Sequence, residues 1–354
     1  MYRFHRHLLK LCSIKPYHKI VNGYCKSQRR NWKILFFGTD SFSLETLKLL
    51  NENRKKDGLV CELQVVCASK FVKVRRKLKQ VSPVWTYVQD NDLKTIPWPV
   101  VDKQSLKGFD VGVLSSFGHL IPSDVLDSLP LGIINVHPSL LPRWRGANPI
   151  MHAILNGDKE TGVTIMQLSE RFDCGPILNQ KHYPVPAKCT AADLRQLLAK
   201  EGGALLIETL RDLEQCIANK REQDEREVVD APKRKPGIEI VDWSKSCESI
   251  SRLYRAISDE VTLQTVWKGD VVKLSKMVTV ESQSIGISDV VAGQISYSKS
   301  HKALCVHCRD GWLGFQEIVF NGKRLSAADF NNGFLAGPKI KTVEIFQSNI
   351  DDKS

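Results

Sequence analysis

An asparagine and a histidine, Asn135 and His137, stand two residues apart at the end of an apolar run in the middle of the chain. The run, residues 131–134, predicts a buried strand, and alternate side chains of a strand point to the same side of a sheet. Pro138 then ends the pairing, because proline has no N–H to donate. The strand therefore presents an amide and an imidazole at its carboxyl end, where ligand sites lie in open α/β sheets.

The alternative is that both side chains are structural, since a polar residue near a strand end often only satisfies a local hydrogen bond. The segment that follows them favours a site. It reads SLLPRWRGANP over residues 139–149, with Pro142 stiffening the loop and an arginine on either side of Trp144. A rigid backbone, positive charge and an aromatic ring beside Asn135 and His137 indicate a loop that binds a ligand.

The run from Asn135 to Pro142, NVHPSLLP, resembles the N-x-H-x-S-L-L-P motif of the formyltransferase family that uses 10-formyltetrahydrofolate. The continuation RWRGANPI, residues 143–150, is similar to the members of that family that act on methionyl-tRNA. The resemblance covers about residues 33–345. It implies an α/β protein with a Rossmann-like, open and mostly parallel sheet (the formyltransferase fold), followed by a small C-terminal β-barrel domain. It also implies 10-formyltetrahydrofolate as the formyl donor.

Formyl transfer to an amine forms a tetrahedral intermediate whose oxygen is negatively charged, and donors aimed at that oxygen stabilise the transition state. Asn135 and a protonated His137 are the predicted donors. The third predicted catalytic residue is Asp173 in the loop RFDCGPIL, which the resemblance implies as the partner of His137 and as an aid to proton transfer. Cys174 departs from the threonine of the family at the next position. Asp158 is another nearby carboxylate, which we interpret as an exposed turn residue.

The resemblance implies two segments in contact with the folate. In the segment at 117–121, Leu120 and Ile121 are expected to form an apolar wall, and His119 is expected to contribute through its backbone. No metal is predicted, because the CxxC pair at 305–308 alternates like a strand and has no second ligand pair at metal-binding spacing. The predicted folate-contacting residues are Ser139, Leu140, Leu141 and Pro142 in one segment and Phe117, Gly118, His119, Leu120 and Ile121 in the other.

A basic stretch between residues 70 and 79, KFVKVRRKLK, indicates a nucleic-acid partner, and no acidic residue occurs between Glu62 and Asp90. A run of charge is often only a solvated face. The family, however, inserts a basic loop here that enters the acceptor arm of the tRNA, although that loop is richer in glycine and proline. Two arginines around Trp144 are expected to contact phosphate. The predicted tRNA-binding residues are Lys70, Lys73, Arg75, Arg76, Lys77, Lys79, Arg143 and Arg145.

The elements that must position these residues follow from apolar runs that alternate with helical patterns, which predict parallel βαβ units. Gly38 alone follows the first strand, and the lack of a GxGxxG motif there argues against a dinucleotide site. Short alternating segments after residue 237 predict a small β-barrel. Strands are predicted at 33–38, 60–69, 109–116, 131–134, 163–168, 177–185, 264–267, 271–274, 303–307 and 313–319, and helices at about 41–50 and 190–217.

The chain has 354 residues, enough for two domains, and a net charge of +12. Nine lysines and arginines and no acid lie in residues 1–33, which is typical of a mitochondrial transit peptide. A basic nucleic-acid-binding arm is the alternative. No apolar stretch approaches the ~20 residues of a membrane span. We expect a protein of the mitochondrial matrix that acts as a monomer and has no membrane partner.

The predicted function is transfer of a formyl group from 10-formyltetrahydrofolate to the α-amine of methionyl-tRNA. The alternatives are another folate-dependent formyltransferase, a formyl-folate hydrolase, or, from a different class, a non-catalytic folate- or RNA-binding protein. A protein that only binds has no need of all three predicted catalytic side chains. The predicted segments are a transit peptide at 1–32, a catalytic domain at 33–219, a linker at 220–237, a C-terminal β-barrel domain for tRNA binding at 238–345 and a tail at 346–354.

Overall fold

The computed structural model describes residues 31–56, 58–67, 71–75, 78–99, 103–281, 285, 289–336 and 344–348. Residues 1–30, which make up most of the expected transit peptide, lie outside the described residues. Trp32, also assigned to that peptide, belongs instead to the fold. Its side chain is buried, and its indole N–H donates to the carbonyl of Leu210 at 2.7 Å. The folded domain therefore begins at or before Trp32.

A seven-stranded sheet forms the centre of the N-terminal part, in the order β10-β9-β7-β6-β1-β2-β5, and a two-stranded hairpin, β3-β4, forms a separate small sheet. The elements in chain order are β1 (Trp32–Gly38), α1 (Ser41–Lys56), β2 (Val60–Cys67), β3 (Phe71–Arg75), β4 (Leu78–Val81), α2 (Pro83–Asp90), β5 (Lys94–Pro97), β6 (Val111–Ser115), α3 (Ser123–Leu126), β7 (Ile133–His137), β8 (Arg143–Arg145), α4 (Pro149–Asn156), β9 (Glu160–Gln167), β10 (Ile177–Pro184), α5 (Ala191–Arg211) and α6 (Leu213–Ala218).

The sheet is covered on both faces, which explains why its strands are continuous apolar runs. Alternate residues of β1 enter two different apolar clusters. Ile34 and Phe36 pack with residues of α1 and α5, whereas Leu35 and Phe37 join the cluster that contains Val125 of α3. Five strands of the sheet are parallel to one another: β1, β2, β5, β6 and β7. At one edge, β9 runs antiparallel to its two neighbours, β7 and β10. The predicted Rossmann-like, mostly parallel sheet is confirmed.

The C-terminal part is an antiparallel sheet in the order β12-β13-β16-β15-β14, and β17 also pairs with β16. Its opposite edges are joined by residues 344–348. Gln347 exchanges two backbone hydrogen bonds with Val266, and Phe346 donates its N–H to Gly293. The elements are α7 (Cys247–Ile257), β12 (Leu263–Trp267), β13 (Asp270–Thr279), β14 (Ile295–Ser298), β15 (Ala303–His307), β16 (Trp312–Phe320), β17 (Lys323–Ser326) and α8 (Ala327–Phe330).

This closing segment corrects the assignment of residues 346–354 to a tail. Phe346 is 2% exposed and packs against Trp243, so residues 346–348 are part of the C-terminal domain. Residues 349–354 lie outside the described residues. A strand of this kind is hard to recognise in the sequence because it is short and its pairing partners are about 80 and 50 residues away.

The polar segment at 220–237 connects the two parts, as predicted, but it is held against the catalytic part along its length. Arg221 exchanges two backbone hydrogen bonds with Ile177, at 2.8 and 2.9 Å. Further along, a short strand, β11 (Val229–Asp230), pairs in parallel with β8. The segment therefore has fixed contacts with β8 and β10, which flank the loops of the predicted site.

Cys305 lies on β15, as the alternation predicted, and Cys308 directly follows that strand. Cys305 and Cys308 are fully buried, and burial raises the pKa of the Cys305 thiol to about 11, so this thiol stays protonated at neutral pH. Among the residues that the structure describes, no group of three or more His, Cys, Asp or Glu side chains is arranged to hold a metal ion. In the same residues, no helix is both long enough and apolar enough to cross a membrane.

Candidate active site

The structure brings the three predicted catalytic residues together at the carboxyl end of β7. Asn135 and His137 are the third and fifth residues of that strand, and they are only 6% and 4% exposed. Asp173 reaches them from the loop between β9 and β10. Its Oδ1 lies 3.4 Å from Asn135 Nδ2 and 3.6 Å from His137 Nδ1. The amide, the imidazole and the carboxylate thus lie close together in one partly buried site.

The tautomer of His137 follows from its contacts. Its Nε2 lies 3.1 Å from the carbonyl oxygen of Trp144. Because a carbonyl only accepts hydrogen bonds, Nε2 must carry the proton. Nδ1 is the other ring nitrogen, and it faces Asp173. When Nδ1 is protonated, the imidazolium has a carboxylate beside it and a second N–H to donate.

The carboxylate of Asp173 is aimed by the backbone of a neighbouring loop. Its Oδ2 accepts the N–H of Gly146 at 3.1 Å. Gly146 has φ +125°, and a Cβ there would lie 2.9 Å from the carbonyl oxygen of Ala231, so only glycine fits without movement. Asp173 itself has φ +54°, an uncommon conformation for a residue with a side chain. The loop of Asp173 is thus fixed in a conformation that local preference alone does not favour.

The close approach of the Asp173 loop to β9 depends on a second glycine. A Cβ on Gly175 would overlap the carbonyl oxygen of Gln167, the last residue of β9. The N–H of Gln167 in turn donates to the carbonyl of Pro176 at 2.9 Å. The Gly-Pro pair that indicated a sharp turn in the sequence therefore allows Asp173 to fold back over the end of the sheet.

The segment at 139–142 forms the wall behind His137, and two of its side chains do not face a ligand. Ser139 is fully buried and its hydroxyl donates to the carbonyl of Arg143 at 2.7 Å. Leu141 is 2% exposed and packs with Met166 and Ile177. Both side chains are therefore directed into the protein, and the folate contact of this segment stays a prediction. Leu140 and Pro142 are half-buried.

The same segment is held by two side chains that the sequence did not single out. Thr164 on β9 donates its hydroxyl to the carbonyl of Ser139 at 2.6 Å. Gln180 on β10 donates to the carbonyl of Leu141 at 3.0 Å and to the Thr164 hydroxyl at 2.8 Å. Neither residue carries a local sequence signal, so their role could be found only from the pairing of β9 and β10. They fix the loop that carries Trp144 toward His137.

The segment at 117–121 divides into core and surface. Phe117 is buried and packs edge-to-face on Trp98 and Phe37, and Ile121 is buried as well. Neither can serve as the predicted ligand contact through its side chain. Gly118 and His119 are exposed, and Leu120 is 52% exposed.

A second exposed apolar side chain lies on the other loop of the site. Phe172, next to Asp173, is 63% exposed. This side chain adds apolar surface next to the site. Phe172 was not among the predicted folate-contacting residues, because its exposure becomes evident only when the loop conformation is known.

Arg143, Trp144 and Asp158 form a unit that differs from the prediction. The carboxylate of Asp158 accepts two hydrogen bonds from the Arg143 guanidinium, at 2.9 and 2.7 Å, and one from the Trp144 indole at 2.7 Å. Asp158 is 11% exposed and is not an exposed turn residue. Its hydrogen bond to Arg143 raises the pKa of the guanidinium. Trp144 is buried and stacks on His152, so its indole supports the loop.

Arg145 was predicted to contact phosphate, and the structure contradicts this. It is 8% exposed, and its guanidinium donates to Gln223 at 2.9 Å and to Glu225 at 3.3 Å. The hydrogen bonds of the buried Arg145 guanidinium are therefore made to residues of the linker. Arg143 remains 44% exposed beside Asp158.

The basic stretch forms the hairpin β3–β4. Lys73 and Arg75 lie on β3 and Lys79 lies on β4, with Lys73 opposite Lys79 in the backbone register. The hairpin follows β2, which is parallel to β7 and separated from it in the sheet by β1 and β6. It therefore leaves the sheet at the carboxyl edge, where the site also lies. The predicted residues Lys70, Arg76 and Lys77 lie outside the described residues.

Comparison with known proteins points the same way for both parts of the chain. A profile described as "Formyl transferase" matches residues 32–210, and one described as "Formyl transferase, C-terminal domain" matches residues 234–335. The chain is 39% identical over 313 residues to the protein named mitochondrial methionyl-tRNA formyltransferase of Homo sapiens, covering 86% of this chain and 78% of that one. It is 32% identical to methionyl-tRNA formyltransferase of Coxiella burnetii, with 85% and 95% covered.

Among solved structures, the chain is similar to HypX from Aquifex aeolicus in complex with tetrahydrofolic acid. The TM-score is 0.59 at 19% identity, over 87% of this chain. The match spans 48% of the HypX chain, about half its length. At this identity the likeness bears on the fold alone, and it agrees with the sheet and C-terminal domain described above.

Proposed function

This chain belongs to the formyltransferase family, and from that premise we propose that it transfers the formyl group of 10-formyltetrahydrofolate to the α-amino group of methionyl-tRNA. The product would be formylmethionyl-tRNA for initiation of translation in mitochondria. The observation that carries the proposal is the meeting of Asn135, His137 and Asp173 at the carboxyl end of β7. The relatives of 32–39% identity over most of the chain support the choice of methionyl-tRNA as the acceptor.

The proposed reaction needs no nucleophile from the protein, because the amine attacks the formyl carbon directly. The C–N bond to the amine forms, and the carbonyl oxygen takes on negative charge. Asn135 has two N–H groups on its side-chain nitrogen, and one of them points to Asp173. The other is free to donate to the oxyanion, together with Nδ1–H of a protonated His137. One such donor is worth about 3–4 kcal/mol in the transition state.

The proton of the attacking amine must leave before the C–N bond to the folate breaks. Asp173 is the group proposed to accept this proton. Its Oδ1 faces the two oxyanion donors, and its Oδ2 accepts the N–H of Gly146. The carboxylate accepts the proton from the amine, and its Oδ1 lies 3.6 Å from Nδ1 of His137. Asp173 then passes this proton to the folate nitrogen. The C–N bond to the folate breaks as the oxyanion re-forms the carbonyl, and the folate leaves as the neutral amine, so that charge and protons balance over the cycle.

The folate is proposed to lie across the ends of β6 and β7. Backbone groups of residues 118–121 can read the hydrogen-bonding edge of a pterin, and the exposed side chains of Leu120 and Phe172 offer it apolar surface. Thr39 fixes this segment, because its hydroxyl donates to the carbonyl of Phe117 at 3.2 Å. The side chains of residues 139–142 are proposed to shape the wall rather than to bind.

Another folate-dependent formyltransferase or a formyl-folate hydrolase would use the same three catalytic side chains. The basic hairpin and the C-terminal domain favour an RNA substrate, because a small acceptor requires neither. The test is to incubate the purified protein with 10-formyltetrahydrofolate and either methionyl-tRNA or free methionine. We expect formylation of methionyl-tRNA alone. Comparable formylation of free methionine would exclude the tRNA proposal, and release of formate without either acceptor would indicate a hydrolase.

The hairpin β3–β4 is proposed to contact tRNA phosphates. Replacing Lys73 and Lys79 with glutamine should raise the KM for methionyl-tRNA and make its dependence on log[salt] shallower by up to about 2, roughly 1 for each phosphate that is no longer neutralised. Initial rates between low and physiological salt measure both. The matched control is Lys55→Gln with Lys56→Gln on α1, which removes the same charge from another surface. Equal salt slopes for the hairpin and control variants would remove the hairpin from the tRNA interface.

The location proposed for the protein is the mitochondrial matrix, where it would act as a monomer. The basic, acid-free N-terminal stretch and the mitochondrial relatives support import. The methionyl-tRNA used for mitochondrial initiation is present in the same compartment. Separation of mitochondria into matrix and membrane fractions tests the location, and light scattering of the purified chain tests the monomer.

A further inference from the structure

Gln223, in the linker between the two parts of the chain, has three hydrogen bonds around the Asp173 loop. Its side-chain nitrogen donates to the carbonyl oxygens of Asp173 and Gly175, both at 2.8 Å. Its side-chain oxygen accepts from the Arg145 guanidinium at 2.9 Å. The side chain is 8% exposed, so water does not compete freely for these bonds. Both N–H groups of the Gln223 side chain therefore bond to the loop of Asp173.

The contacts of Gln223 reach Asp173 by two routes. One is direct, onto the Asp173 carbonyl. The other runs through Arg145, which is fixed by the linker on both its side chain and its backbone, since the Ala231 N–H donates to the Arg145 carbonyl at 2.7 Å. Gly146 follows Arg145 and donates its N–H to the Asp173 carboxylate. The linker thus fixes both the backbone and the carboxylate of Asp173.

Such support is needed because Asp173 has a left-handed backbone conformation, with φ +54°. This conformation is uncommon for a residue with a side chain, and contacts with its surroundings hold it there. The Gly175–Pro176 turn allows the loop to fold back, but it does not select the angle at Asp173. Two hydrogen bonds from one planar amide, to carbonyls two residues apart, do select it.

We propose that Gln223 is a positioning residue for Asp173, so that the linker sets the direction of the carboxylate. The inference rests on the proposed function for the role of Asp173 in formyl transfer. Gln223 touches neither substrate in the proposed complex. Its loss should therefore change turnover much more than binding, because a displacement of about 1 Å in a catalytic group can cost up to 10²-fold in rate.

Two variants separate the possible effects of Gln223. Gln223→Met removes all three hydrogen bonds at similar size and without charge. Gln223→Glu keeps an acceptor for Arg145 but cannot donate to the carbonyls of Asp173 and Gly175. We expect both variants to lower kcat by about tenfold or more, with KM for 10-formyltetrahydrofolate and for methionyl-tRNA changed by less than about twofold. The control is Gln316→Glu, which removes a similar bond, to the carbonyl of His301, in the C-terminal domain.

A readout that a general structural defect would not produce is the combination with Asp173→Ala. If Gln223 acts through Asp173, Gln223→Glu has no further effect on the residual turnover of that variant. A reduction by the same factor in both backgrounds would mean that Gln223 acts elsewhere, and the positioning role would be rejected.

Hydrogen exchange decides the positioning role independently of activity. Amides in the peptide 171–177 should exchange faster in both Gln223 variants, while amides of β6 keep their wild-type rates. Unchanged exchange together with wild-type kcat would overturn the inference. If the wild-type protein formylates no methionyl-tRNA, the proposed function fails, and the exchange comparison still shows whether Gln223 orders the loop.

Discussion

Replacement of Asp173 by alanine or asparagine is expected to lower kcat by about 10²-fold or more. The carboxylate faces the side-chain nitrogen of Asn135 and Nδ1 of His137, at 3.4 and 3.6 Å. Its removal takes away the proposed acceptor for the amine proton and the negative charge beside His137. Asparagine keeps the shape and the contact with the Gly146 N–H but not the charge. The two variants should therefore be similarly impaired if charge is what matters.

The measurement is single-turnover formylation of methionyl-tRNA with saturating folate, beside KM for both substrates. Glu170→Gln is the matched control, because Glu170 lies three residues earlier in the same loop and is exposed. It should keep wild-type turnover. An Asp173→Asn variant with turnover close to wild type would show that the charge of this residue is not required, and the proposed proton path would then be wrong.

The central sheet could be predicted from the sequence because its strands are buried on both faces and are separated by helical patterns. The apolar runs of β1, β6 and β7 are typical of buried strands. Their parallel direction follows from the long connections between them. The positions of Asn135 and His137 follow in turn from strand geometry. Asp173 required the family resemblance, since an aspartate before Gly-Pro is also a common turn residue.

The contacts that orient the Asp173 carboxylate could not be predicted, because nothing in the sequence around the contacting residues indicates that they are buried. Gln223 lies in a polar segment that has the composition of a solvated linker, and its burial depends on the pairing of β11 with β8. The buried position of Arg145 could not be predicted either. The sequence around an arginine beside a tryptophan does not show whether its partner is a phosphate or a carboxylate of the protein. The partner, Glu225, is 80 residues away.

Side-chain direction was the other limit. Ser139 and Leu141 belong to a motif that indicates folate binding, yet both point into the protein and fix the loop. A motif identifies the backbone segment, and the side chains within it divide between those that shape the loop and those that face the ligand. That division depends on Thr164 and Gln180, which come from β9 and β10.

Replacement of His137 by alanine is expected to lower kcat by about 10²-fold or more, the cost of one oxyanion donor. The imidazole is fixed by the Trp144 carbonyl on Nε2, which leaves only Nδ1 to act on the substrate. Nδ1 can stabilise an oxyanion only as N–H, and the Asp173 carboxylate lies 3.6 Å from it. KM should change little, because the interaction develops in the transition state.

His152→Ala is the matched control for this variant. His152 stacks on the same tryptophan, at 5.4 Å between ring centroids, and its Nε2 also contacts a backbone carbonyl, that of Pro232 at 3.1 Å. It has no contact with Asp173 among its hydrogen bonds, so its loss should affect stability more than turnover. If His137→Ala keeps turnover within about threefold of wild type while remaining folded by circular dichroism, His137 does not stabilise the oxyanion. Asn135 would then be the only side-chain donor of the three, and the roles at the end of β7 would have to be reassigned.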